Sequence, residues 1–105
     1  MRLQIKPVYG WGWGDSQGNS IEVPAPFELE VATVEGGEPF RIALGHFQNG
    51  GEHPLSGLWI LLTQRHATND GQYTLEAFTE KPAVPRIAGQ TWRVAGYASA
   101  LPISA

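Results

Sequence analysis

Apolar and polar residues alternate with a period of two along most of this chain. From Leu3 through Ile5, Pro7, Tyr9 and Trp11 to Trp13 the odd positions are apolar, with Gly10, Gly12 and Gly14 set among the aromatics. In an extended strand such a set shares one face. Residues 3–13 therefore read as a strand, placed at a sheet edge or bulged where Pro7 lacks an amide donor. Residues 15–20 read as a polar turn and 21–23 as a short strand stopped by Pro24 and Pro26. Next come two alternating runs, 27–35 and 38–48, on either side of Gly36-Gly37, a predicted hairpin with a two-residue loop. Setting Glu35 opposite Glu38 places Thr33 opposite Phe40, Val31 opposite Ile42 and Leu29 opposite Leu44, all on one face, with Glu30 diagonal to Arg41. Beyond a glycine-rich loop, residues 57–64 hold Leu58-Trp59-Ile60-Leu61-Leu62 and read as a strand buried on both faces. Alternation returns over 72–80 and 90–100. Between them Pro82 and Pro85 impose an irregular segment, and 98–105 reads as a loose apolar tail.

Thirteen glycines and eight prolines are scattered along the chain, and no window of 12 residues both escapes them and shows a 3.6-residue apolar period. The expected class is all-β: an antiparallel β-sandwich of about seven or eight strands, C2-like or jelly-roll-like, with essentially no helix. At 105 residues the chain fits one domain, 1–105, which can bury roughly 65% of its unfolded surface without staples. With no cysteine, disulfides, thiolate nucleophiles and zinc–thiolate sites are excluded. A net charge of −3 argues against a phosphate-backbone partner, so nucleic acid is not expected. The longest apolar run, 58–62, is far too short for a transmembrane helix, and Gln4 and Lys6 break any signal-peptide pattern. These features read as a soluble chain whose compartment stays open.

One stretch carries a family resemblance. Gly57-Leu58-Trp59-Ile60-Leu61-Leu62-Thr63, a polar loop, then Gly71-Gln72-Tyr73-Thr74-Leu75-Glu76-Ala77-Phe78-Thr79-Glu80-Lys81 resembles the C2-like β-sandwich that follows the protease core in calpains. The likeness covers residues 57–82, with Leu62-Thr63-Gln64 and Glu76 as departures. It implies an antiparallel sandwich acting as a regulatory or interaction module, in some members with calcium or phospholipid. No catalytic residue is carried over, because the match lies outside the protease core.

The chemistry-bearing residues are sparse. No serine stands in a nucleophile-elbow setting, and the ten acids are scattered, so no enzyme is expected and no catalytic residue is assigned. His46, His53 and His66 match no metal spacing. Calcium is the one candidate cofactor. Asp15, Asn19 and Glu22 lie around one turn and Asn69 and Asp70 around another, offering oxygen ligands but at most two acids per loop. Tyr9, Trp11 and Trp13 form the candidate ligand-binding stripe, since coplanar exposed aromatics stack on sugar rings; the competing expectation is that they pack into the core. The leading functional reading is a non-catalytic interaction module that binds a protein partner or assembles with itself through edges and loops. Its alternatives are a calcium-dependent phospholipid or protein adaptor and a carbohydrate-binding module using Tyr9, Trp11 and Trp13.

Overall fold

Short alternating runs fold here into strands because each can bury one face at once. The computed structural model describes residues 1–7, 13–24, 26–37, 40–48, 51–64, 72–83 and 92–103. Its strands are β1 (Arg2–Pro7), β2 (Gly14–Asp15), β3 (Phe27–Glu30), β4 (Thr33–Glu35), β5 (Ile42–His46), β6 (Trp59–Gln64), β7 (Gln72–Phe78) and β8 (Val94–Pro102). No helix occurs among the described residues, and none is long and apolar enough to cross a membrane. The eight strands found among the described residues belong to one antiparallel sheet, ordered β3-β1-β8-β7-β6-β5-β4, with β2 beside β8. The all-β, antiparallel expectation is met.

The two ends of that order are consecutive pieces of chain. β3 pairs with β1, Leu3 opposite Leu29, whereas β4 pairs with β5, Thr33 opposite Leu44. Between them Val31 donates its amide to the Met1 carbonyl and Ala32 to the Leu44 carbonyl. The sheet therefore curls until both its margins are the segment 27–35. From β4 to β8 the strands follow one another as a meander, and the last lies against the first, Ile5 opposite Ala100.

Curling creates an inside. Leu3, Ile5, Leu29, Ile60, Leu62, Tyr73, Leu75 and Ala98 point into a single core and are almost wholly buried. Two side chains close the poles. At one, Phe40 stacks on Tyr73 with ring centroids 4.5 Å apart, and the Tyr73 hydroxyl donates to the Phe40 carbonyl at 2.8 Å. At the other, the Trp13 ring lies over Gly96, where any Cβ would collide with it. A smaller apolar cluster of Leu44, Leu61 and Phe78 is buried on the outer face, with Ile42, Trp59 and Trp92 partly buried beside it.

Three expectations are corrected. The hairpin register is shifted by four: Glu35 faces Ile42, not Glu38, and the Arg41 amide bonds the Glu35 carbonyl at 2.8 Å. Phe40 is withdrawn from pairing with Thr33 because it plugs the core. Glu30 does not lie diagonal to Arg41; it sits opposite Arg2 and near the Met1 ammonium, 3.3 Å away. The tail expected to be loose from Ala98 is instead the second half of β8, paired with β1 over Ala98 to Pro102 and with β7 at Ala98 and Ser99. Pro7 is flanked by Ala98 of β8, while the ladder to β3 has already ended at Ile5, so its missing amide costs nothing on that side.

Candidate functional site

The Trp13 pole is where separate loops meet. β2 is held against the start of β8, with Gly14 opposite Ala95 and Asp15 opposite Val94. The chain then turns tightly. The Asp15 amide donates to the Asn19 carbonyl at 2.9 Å, the Gly18 amide returns to the Asp15 carbonyl, and Gly18 adopts φ of 90°, open to glycine at no steric cost. Ile21 closes the turn by donating to the Trp13 carbonyl at 2.8 Å. A second loop, after β5, is pinned by Phe47 and Leu58, whose backbone groups bond at 2.9 Å, and by Leu55, fully buried.

Between these loops and the first residues of β8 lies a cleft of about 570 Å³, within the usual range for ligand sites. Ile21, Pro54, Leu58 and Val94 form its apolar surface, and Val94 is part of the core beneath. Its polar rim carries Asp15, Ser16, Gln17, Ser56 and Arg93.

Among the described residues two charges line this cleft, and they behave differently. Asp15 turns into its own loop: Oδ1 accepts the amides of Gln17 and Asn19, both at 2.9 Å, and Oδ2 accepts Asn19 Nδ2 at 3.1 Å. The Asn19 backbone amide first, and then its side chain, hold the Asp15 carboxyl below its ordinary value of 3.8. Hydrogen bonds to the ionised form favour it, so Asp15 is an anion at neutral pH. Arg93 is exposed, and its backbone is fixed by a 2.7 Å bond from its amide to the Ala77 carbonyl. Among the described residues no carboxylate forms an ion pair with it.

Under the second loop sits His53. Its ring meets Phe27 and Phe47 edge-on, with centroids at 5.1 and 4.8 Å. Nδ1 accepts the Leu55 amide at 3.1 Å, so the neutral ring carries its proton on Nε2, which is buried with no hydrogen-bond partner among the described residues. Burial pushes the His53 ring below its ordinary value of 6.5.

Of the residues singled out from sequence, Tyr9, Trp11, Asn69, Asp70 and His66 lie outside the described residues. Trp13 is 4% exposed and faces inward, its indole Nε1 without a hydrogen-bond partner among the described residues. Asp15 and Asn19 are brought together, as partners in one turn, and Glu22 is exposed just beyond it. Among the described residues no three His, Cys, Asp or Glu side chains converge as a metal site. His46 lies on the outer face, tilted against Trp59 at 4.8 Å, with Nε2 donating to the Gly57 carbonyl and Nδ1 accepting from Gln48. His46 and His53 thus serve opposite faces of the wall. Lys81 Nζ stands 5.4 Å from the Trp59 ring centre, giving that indole a cationic cover.

Sequence reasoning anticipated the second apolar face, because Trp59 and Leu61 alternate with Ile60 and Leu62 in the strand read as buried on both faces; it missed the cleft. The cleft left no signal, because its walls come from three segments far apart in the chain. No protein-family model matches this chain, and neither a curated protein nor a solved structure matches it.

Proposed function

We propose that this protein is a non-catalytic binding module that takes a segment of a partner protein into the cleft at the Trp13 pole. The observation that carries the reading is the construction of that cleft. An apolar surface of Ile21, Pro54, Leu58 and Val94 sits inside a polar rim that includes Arg93, a cation with no ion-pair partner among the described residues. Apolar contact supplies binding energy and the rim supplies orientation, which is the usual division of labour in a recognition site. The walls need no rearrangement to form, since each is tied to the sheet by backbone bonds, and a preorganised site loses less entropy on binding. The calcium and sugar readings draw no comparable support. Asp15 spends its oxygens on its own turn, and the Trp13 ring is committed to the core.

Selection of displayed random peptides against the full chain tests this. Peptides of a shared pattern should be enriched. Replacing the exposed rim residue Ser16 by Trp, which fills the mouth without touching the core, should weaken them about tenfold or more, equivalent to about 1.4 kcal/mol. Enriched peptides indifferent to Ser16→Trp, or no enrichment at all, would remove the cleft as the binding site.

A further inference from the structure

We infer that the cleft selects a chain end, the free C-terminal carboxylate of a partner peptide, with the Arg93 guanidinium as its ion-pair partner. This rests on the reading of the cleft as the binding site and adds the chemistry of what enters it. Charge complementarity is the first support. Asp15 and Arg93 line one cleft, Asp15 being paired with Val94, the residue after Arg93, yet they form no ion pair with each other. The Asp15 carboxylate already accepts three hydrogen bonds from residues 17 and 19. The guanidinium is thus the one charge at the cleft without an internal partner among the described residues. The chain's ion pairs among those residues gather elsewhere, where Met1 and Arg2 meet Glu28 and Glu30.

The apolar lining is the second support. Ile21, Leu58 and Val94 line the cleft, and Val94 belongs to the core cluster. A chain end can seat its last side chain on such a surface. The carboxylate then stays at the rim, where the planar fork of an arginine matches its two oxygens. Ser16 and Gln17 add hydroxyl and amide donors on the same rim.

The test uses the full chain and a library of N-acetylated hexapeptides, prepared both as free acids and as C-terminal amides. Binding is read from the amide shifts of Ser16, Gln17, Leu58 and Val94. The free acids should bind, and amidation should weaken them about tenfold or more, the worth of a charge-assisted contact. Arg93→Gln should erase the difference between acid and amide while leaving the melting midpoint unchanged, because the side chain is exposed; Arg93→Lys should restore part of it. Equal binding of acids and amides would overturn the carboxylate inference and leave the binding cleft standing. Amides that bind only when they contain Asp or Glu would replace the chain end by a side chain and overturn it too. Shifts caused by succinate alone would point to a small free acid instead of a peptide. If neither peptide form moves these amides, both readings fall.

Discussion

Trp13 and Gly96 occupy one volume between them. A methyl group at residue 96 would meet the indole ring, so Gly96→Ala should cost about 1–3 kcal/mol of stability, and Trp13→Ala about 3–5 kcal/mol. Once the ring is gone, Gly96→Ala should cost far less; urea unfolding of the two single variants and the double variant measures this coupling. At the other pole, Tyr73→Phe leaves the stacked ring in place and deletes the hydroxyl that bonds the Phe40 carbonyl. The expected loss is about 1–3 kcal/mol, since a buried acceptor is left with one partner fewer. His53 sets a pH dependence. Its folded value lies below the unfolded 6.5, so below that pH the unfolded chain takes up the proton first. Its contribution is intact above pH 6.5 and is lost progressively as pH falls through the folded value. Urea midpoints between pH 7.5 and 5.5 should fall for the wild type more steeply than for His53→Leu. Parallel slopes would show that His53 is not the group responsible.

Closure of the sheet depends on one close approach between elements. Gly45 in β5 faces the seam, where a Cβ would strike the Glu30 carbonyl oxygen and lie 3.2 Å from both the Leu29 side chain and the Val31 Cα. Backbone cannot yield as a flexible side chain can. Gly45→Ala should therefore loosen the seam first, with hydrogen exchange at Val31 and Ala32 accelerating before exchange in β6 and β7. An exchange pattern unchanged at 31–32 would mean that β5 shifts instead. The same region explains what the pattern of residues conveys and what it withholds. Alternation identifies the inward set Leu3, Ile5, Phe27 and Leu29 correctly, because burial on one face demands it. It cannot distinguish Glu35 opposite Glu38 from Glu35 opposite Ile42, since an even shift keeps every side chain on its face. The choice is made by Phe40, whose stacking on Tyr73 is a contact 33 residues distant. The paired strands β6 and β7 realise the 57–82 segment as neighbours, an arrangement common to many antiparallel folds and silent about function.

For the whole molecule, the class was readable, and so was the β4–β5 hairpin apart from its register, but the pairings between distant segments were not. A sandwich, a jelly roll and a curled meander share the same local alternation; which one forms depends on pairings between distant segments such as β1 with β8. The cleft was invisible for the same reason, being the place where residues 15–21, 54–58 and 93–94 arrive together. The meander has a further consequence, and it is mechanical. Because β1 and β8 are antiparallel neighbours, Arg2 and Ile103 leave the wall at the same pole, joined by a 2.9 Å bond from the Ile103 amide to the Arg2 carbonyl. Tension applied at these two residues would open the β1–β8 ladder like a zipper, one pair after another from Leu3–Pro102 to Pro7–Ala98. Handles at residues 2 and 93 pull the same two strands from opposite poles and load the whole ladder together. The chain has no cysteine of its own, so paired cysteine substitutions give unique attachment points. Single-molecule pulling should rupture the first arrangement at a much lower force than the second.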